Sequence, residues 1–177
     1  KTLYFSANDG IAGQELWKTE IGSADAALAA DLREGPSGSF PDNFRMIGKR
    51  LYLTANDADK GVELWTTDGS PGGASVVADI AEGIVGSNPA SPVVLGSTLL
   101  FAANEGARGT NLWKSDGTES GTTIVRQVRS LNGYSSPRNL TNVNGTLFFS
   151  ATDGIAGREL WKSDGTWPGT QMVRNIR

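Results

Sequence analysis

The sequence predicts an all-β protein, a β-propeller made of four-stranded antiparallel blades. Three observations lead to this prediction: an internal repeat of 48 residues, turn signals at fixed places in every repeat, and strands with two apolar faces. Units of this length that hold four short strands are typical of propeller blades. The 23 glycines among 177 residues suit many short strands joined by tight turns.

Four tryptophans mark the repeat, because each lies 48 residues after the one before it: Trp17, Trp65, Trp113 and Trp161. Leucines, alanines and glycines keep the same spacing, with no insertion from end to end. The repeat units are 1–48, 49–96, 97–144 and 145–177. We expect them to form a single propeller domain, or a fragment of one.

The last copy shows the four strands of a unit most clearly. They are predicted at 139–143, 147–151, 159–163 and 171–176. Asn144-Gly145 between the first two is the signal for a type I′ hairpin, in which both central residues have positive φ. Asp164-Gly165-Thr166 begins the last turn. In earlier copies a Gly/Ser/Pro-rich connection of about ten residues then leads to the next unit.

The apolar pattern predicts how the sheets pack. The second strand of each unit is apolar throughout, and the third carries Leu-Trp side by side in every copy. Because successive side chains of a strand point to opposite faces, both faces should be buried, with the four repeated tryptophans in the core. A β-solenoid is the alternative architecture, but three hairpins in each unit argue against it.

Composition excludes several classes of function. The chain has no Cys and no His, which removes thiol nucleophiles, Cys/His zinc sites and Ser-His-Asp catalysis. No basic run accompanies the formal charge of −3, so nucleic acid is not an expected partner. No apolar stretch approaches the roughly 18 residues that insert into a membrane. The chain opens at Lys1 without Met, so we expect a mature or excised piece of a longer protein.

A motif recurs at the third strand, as Glu15-Leu16-Trp17, Glu63-Leu64-Trp65 and Glu159-Leu160-Trp161. It continues as Asp68-Gly69-Ser70, Asp116-Gly117-Thr118 and Asp164-Gly165-Thr166. The chain thereby resembles the ELWxxDGT repeat family over essentially its whole length. Departures are Asn111 in place of Glu, and Glu20-Ile21-Gly22 in place of Asp-Gly-Thr. The resemblance implies a secreted or cell-surface bacterial protein with propeller-like repeats, and it carries no activity.

Closure of the ring has three interpretations. Four complete units would need about 15 more residues, because the chain begins at the second strand of one unit. It is then a fragment of a longer propeller, a four-bladed ring with one incomplete blade, or half of an eight-bladed ring completed by a second copy. Open propellers expose strand edges and apolar faces, so a homo-oligomer or further repeats are expected partners.

Acidic hairpin loops are the candidate metal site. Asp9, Asp57 and Asp153 lie in loops rich in Asn and Gly, and such oxygen-rich loops can hold Ca²⁺. Turn formation explains the same residues, since Asp and Asn bond to their own backbone there. None of the loops has alternating acidic residues, so turn chemistry is favoured and no cofactor is expected.

Two further acidic sets repeat with the ring. The aspartates Asp68, Asp116 and Asp164 are expected to form structural turns. Glu15, Glu63 and Glu159 stand beside the repeated tryptophans. Three positions after this place in the repeat the chain has lysines, at Lys18, Lys114 and Lys162. Salt bridges would explain the glutamates, and a glycosidase acid and base would be the functional reading. Catalysis needs one asymmetric pair, so no catalytic residue is predicted.

Three aromatic residues break the repeat, and all three lie in predicted loops. Trp167 stands where other copies have Ser23, Pro71 and Glu119; Tyr134 replaces glycine, and Phe40 replaces Asn or Ser. Exposed aromatic rings can stack on sugars, although packing of a loop on its neighbour would explain them too.

The function predicted from these features is a non-catalytic binding or adhesion module. Its expected ligand is either a glycan, which would make it a carbohydrate-binding module, or a surface protein. The alternatives are a carboxylate-based carbohydrate-active enzyme and a purely structural repeat scaffold. A catalytic site should break the repeat with clustered unique polar residues, whereas the unique residues here are mostly aromatic or small.

Overall fold

The computed structural model describes residues 1–126, 135–155 and 157–176. They form β-strands and turns, with no helix in these ranges. The chain divides into two compact units, Lys1–Gly86 and Ser87–Arg177. Each unit contains two antiparallel sheets.

The first unit holds sheets I and II. Sheet I has three strands, β1 (Thr2–Asn8), β2 (Gln14–Glu20) and β3 (Ala27–Ala30), in that order across the sheet. Sheet II has four, β4 (Asp42–Ile47), β5 (Arg50–Asp57), β6 (Gly61–Thr67) and β7 (Ser75–Ala78). Both are simple meanders in which each strand pairs with the next along the chain.

The second unit repeats this plan with two four-stranded meanders. Sheet III consists of β8 (Ala90–Leu95), β9 (Thr98–Asn104), β10 (Thr110–Ser115) and β11 (Thr123–Arg126). Sheet IV consists of β12 (Arg138–Val143), β13 (Thr146–Thr152), β14 (Arg158–Ser163) and β15 (Gln171–Arg174). These four-stranded antiparallel sheets are blades of the predicted β-propeller type, and the fold class is confirmed.

The predicted hairpins of the last copy are also confirmed, with one change. Asn144 and Gly145 have φ of 49° and 85°, as a type I′ turn requires. The last strand ends at Arg174, two residues earlier than predicted. The reason is that the amide of Ile176 leaves the sheet edge and donates to Glu159 Oε2 at 3.2 Å.

Each sheet has two chemically distinct faces, because Leu and Trp are adjacent on its third strand. We call the side that carries Leu16, Leu64, Leu112 or Leu160 the leucine face, and the side that carries the neighbouring Trp the tryptophan face. In the first unit, Leu16 and Ala29 of sheet I form one core with Leu51, Leu53 and Trp65 of sheet II. The leucine face of sheet I therefore packs on the tryptophan face of sheet II.

The second unit has the same contact. Leu100, Leu112 and Val125 of sheet III share a core with the tryptophan face of sheet IV. Phe149 and Trp161 stack there, with ring centroids 6.4 Å apart. The same pair of faces thus builds the core of both units.

The prediction that both faces are buried holds for sheets II and III but is wrong for sheets I and IV. Trp65, Trp113 and Trp161 are buried as expected, whereas Trp17 is only half-buried. In sheet IV, Leu160 is exposed and the strand alternates between exposed and buried residues. One face of each of these two sheets is accessible to solvent.

Replacing Trp113 with Ala should lower the free energy of unfolding by about 3–5 kcal/mol, because it leaves a large cavity in a buried site. Chemical denaturation followed by circular dichroism measures the change. Trp167→Ala is the matched control, since the same side chain is removed from an exposed position. Equal unfolding midpoints for the two variants would contradict the burial of Trp113.

Candidate functional site

The glutamate two positions before a repeated tryptophan is a buried backbone anchor, as Glu15 shows. Glu15 is completely buried, and its carboxylate accepts hydrogen bonds from the amides of Leu32 (2.8 Å) and Ser39 (2.6 Å) and from the Ser39 hydroxyl (2.6 Å). Burial raises the pKa of Glu15, and these hydrogen bonds oppose the rise. The connection that leaves sheet I is thereby fixed to β2.

Ser39 carries this attachment on to the next sheet. Its carbonyl accepts a hydrogen bond from the amide of Asn56 in sheet II at 2.7 Å. Ser135 does the same in the second unit, where the amide of Thr152 donates to its carbonyl at 3.0 Å and its hydroxyl lies 3.5 Å from Asn111 Oδ1. We call this arrangement the Glu–Ser clasp; Asn111 takes the place of Glu in the second unit.

Sequence reasoning missed the serines of the clasp. Ser39, Ser87 and Ser135 are spaced by 48 residues, and each lies two positions before a repeated proline. All three are buried. A polar residue that recurs in register within a loop was the available signal.

The prediction of a salt bridge between the repeated glutamates and lysines is wrong for Glu15 and Lys18. Residues three apart on a strand point to opposite faces, so the two side chains diverge. Lys18 Nζ instead donates to the carbonyl of Gly69 in sheet II at 2.7 Å. Lys114 Nζ makes the equivalent contact with Gly165 at 3.4 Å. The lysines therefore connect one sheet to the next.

The Asp-Gly-Thr segments form rigid turns. Asp164 Oδ1 accepts from the amide and the hydroxyl of Thr166 at 2.8 and 2.7 Å, and these bonds hold the pKa of Asp164 below its usual value. The Thr166 hydroxyl also accepts from the amide of Gly169. Thr170 closes the turn by donating to the carbonyl of Thr166 and bonding to Ser163. The equivalent turn at Asp116 has the same bonds, and the pKa of Asp116 is lowered for the same reason.

The acidic hairpin loops also use their oxygens internally. Asp9 Oδ1 accepts from the amides of Ile11 and Ala12, which lower its pKa. Asp57 Oδ1 accepts from the amides of Asp59 and Lys60, and Asp153 Oδ1 from that of Ile155. Within 1–126, 135–155 and 157–176, no three acidic side chains lie close enough together to hold a metal ion. Calcium binding at these loops stays the untested alternative to turn chemistry.

Trp167 is an exposed aromatic platform on one of the rigid turns. Its side chain is 62% exposed. The guanidinium of Arg126 lies over the ring, 4.8 Å from its centroid, and 6.0 Å from the ring of Trp161. The Arg126 guanidinium also donates to the carbonyl of Thr170, within the same turn. Arg126 therefore holds the indole in place through a cation–π contact.

The structure describes one of the other two unique aromatic residues. Phe40 is exposed in the connection between sheets I and II, with φ of 51° and its amide bonded to the carbonyl of Gln14. Tyr134 lies outside the described residues. The equivalent positions of the earlier repeats are Gly38 and Gly86, both in the first unit. A Cβ atom added at either glycine would come within 2.4 Å of backbone atoms. The repeat therefore demands glycine at these two positions.

A cleft of about 760 Å³ opens between sheets I and II. Tyr4 and Phe44 supply aromatic surface, and Arg45 and Lys49 supply positive charge. Asp68 lies at the rim, where its carboxylate already accepts from Ser70. This is a concave surface for an apolar or anionic group, and none of the sequence-predicted ligand residues lines it.

Comparison with solved structures agrees with the propeller fold. A prolyl endopeptidase matches with a TM-score of 0.64 and 13% identity over 97% of this chain and 24% of its own. The computationally designed protein Ika8 matches with a TM-score of 0.50 and 16% identity over 98% of this chain and 45% of its own. An α-L-arabinofuranosidase from Clostridium thermocellum is 16% identical over 99% of this chain and 68% of its own; its TM-score of 0.37 is too low to support an argument.

The chain is a β-propeller module, and it spans about a quarter of the endopeptidase and less than half of Ika8. Identities of 13–16% show the fold alone. No protein-family model and no curated protein matches the sequence. Within the described residues there is no helix with the length and apolar character to cross a membrane.

Glu15→Ala should lower the free energy of unfolding by about 1–3 kcal/mol, because it removes the carboxylate that accepts from the buried amide of Leu32 and from the buried hydroxyl of Ser39. Urea denaturation measures the change. Glu34→Ala is the control, since Glu34 is exposed in the same connection. A loss no larger than that of the control would show that the clasp does not stabilise the unit.

The Asp164 turn should make stability depend on pH in the acid range. The folded-state pKa of Asp164 lies below its usual value of 3.8, so its stabilisation is complete above that pH and is lost as the pH falls through the lower value. Asp164→Asn keeps the acceptor oxygen but does not titrate. Its thermal midpoint should therefore fall less steeply than that of the wild type between about pH 4 and pH 2. Parallel curves would contradict this assignment.

Proposed function

We propose that this propeller module is a non-catalytic binding module of a secreted or cell-surface protein, and that Trp167 is its ligand platform. The observation that carries the proposal is the exposed Trp167 indole, which Arg126 fixes in place. The turn that bears it has the same internal hydrogen bonds as the turn of the preceding blade, which has no aromatic residue at this position. The expectation of secretion or display at the cell surface rests on the family resemblance alone.

The chemistry of the platform favours a ligand with a flat apolar surface and peripheral polar groups. Arg126 covers one face of the indole, which leaves the other face and the ring edge for a ligand. Ordering of the turn before binding reduces the conformational entropy that binding would otherwise cost. A sugar ring fits this description, with an exposed peptide segment of a surface protein as the other ligand class.

The repeated glutamates do not favour an enzyme. Glu15 is enclosed by backbone donors, and the amide of Ile176 donates to Glu159. A glycosidase acid or base has to reach the scissile bond, which suits an accessible carboxylate. The structural role therefore explains these residues better than acid–base chemistry.

The neighbouring repeat supplies the variant that tests Trp167. Glu119 occupies the same position in a turn with the same internal hydrogen bonds, so Trp167→Glu should leave the turn intact. We expect saturable binding of the wild type on a glycan array, and at least a roughly tenfold loss for Trp167→Glu, since stacking contributes about 1.4 kcal/mol. Arg126→Ala should also weaken binding, because the Trp167 indole loses the cation–π contact that holds it in place.

Ile11→Ser is the control, because it removes an equally exposed apolar side chain from a different blade. Phe40→Asn and Tyr134→Gly restore the residues of other repeats and test the remaining two aromatic candidates. Addition of EDTA tests the calcium prediction at the hairpin loops. Binding that survives Trp167→Glu would disprove the platform. Absence of any glycan ligand would leave a surface protein as the ligand class.

A further inference from the structure

Among the described residues, two apolar sheet faces are uncovered, and they are of different kinds. The leucine face of sheet IV exposes Leu160 by 41% and Val173 by 46%. The equivalent residues of sheet III, Leu112 and Val125, are 2% and 4% exposed. Phe148, on the same face, is half-buried. This face therefore has the composition of a core surface but lacks a partner sheet.

The tryptophan face of sheet I is the other uncovered surface. Leu3 is 54% exposed and Leu28 40%, and the rings of Phe5 and Trp17 are half-buried. The strand register places these four side chains on one side of the sheet. Their equivalents in sheet II, among them Leu51 and Trp65, are buried against the leucine face of sheet I.

The contacts inside the chain show what covers each kind of face. In both units a leucine face packs on a tryptophan face, and no other pairing builds a core in the described ranges. One uncovered face of each kind remains. A second copy of the chain offers the matching face to both, and the repeat makes the side chains equivalent to those that already pack together.

Polar groups at the two faces agree with this pairing. Arg158 and Lys162 flank Leu160 on the leucine face of sheet IV and are exposed. Lys162 occupies the column of Lys18 and Lys114, which bond to turn carbonyls of the following sheet. The equivalent acceptor in a second copy is the carbonyl of Ile21.

We propose that this chain associates head to tail with a second copy of itself, with the leucine face of sheet IV packed on the tryptophan face of the second copy's sheet I. The contact repeats the leucine-on-tryptophan packing inside each unit and adds a hydrogen bond from Lys162 to the carbonyl of Ile21. It does not depend on the ligand proposed for Trp167.

Sedimentation equilibrium of the purified 177-residue chain over a range of concentrations tests the proposal. We expect a mass of at least twice the 18.6 kDa of one chain. Leu160→Glu and Leu28→Glu should each shift the equilibrium towards single chains, because either change places a charge in the apolar contact. Ile84→Glu introduces the same charge at an exposed apolar residue outside both faces and should leave the mass unchanged.

A mixture of Leu160→Glu and Leu28→Glu distinguishes this contact from pairing of like faces. Each variant keeps one intact face of the opposite kind, so the mixture should form a complex of two chains that neither variant forms alone. Circular dichroism checks that both remain folded, and Lys162→Glu is a milder second variant. A wild-type mass of 18.6 kDa at all concentrations, loss of association with Ile84→Glu, or no complex in the mixture would overturn the proposal.

Discussion

The buried Glu–Ser clasp is the interaction on which the arrangement of the blades depends. A blade is a meander of local hairpins, and hairpins alone do not determine how one sheet meets the next. The Glu15 carboxylate fixes the outgoing connection, and the carbonyl of Ser39 passes that attachment to Asn56 of sheet II. A buried carboxylate surrounded by donors is costly to leave unsatisfied, so the connection has one favourable path.

The clasp positions neighbouring sheets within a unit, and apolar packing between their faces then stabilises that arrangement. Adjacent Leu and Trp point to opposite sides of β6 and β10, so each of these two sheets has two apolar faces. The lysines at 18 and 114 add hydrogen bonds from one sheet to the turn of the next. Stability is therefore distributed between neighbours, as in other repeat proteins, and the sheets at either end retain apolar surface.

The repeated carboxylates of the blades have structural hydrogen-bond partners, which sets them apart from the positions where the repeat is broken. The carboxylates of Asp116 and Asp164 hold their own turns, and Glu15 holds a connection. Trp167 differs: its turn has the same bonds as the turn at Asp116, yet it carries a large exposed ring supported by Arg126. The scaffold supplies rigidity, and one unique residue in the loop adds an exposed aromatic surface.

The sequence by itself determined the period, the hairpins, the four-stranded blades and the two apolar faces, because all of these follow from local spacing and strand geometry. It could not show that Glu15 turns away from Lys18 towards Ser39, since that contact joins residues 24 apart through a loop. Nor could it show that Arg126 covers Trp167, or that Trp17 and Leu160 remain accessible. Burial and loop contacts depend on which sheets are adjacent, and only the tertiary structure decided that.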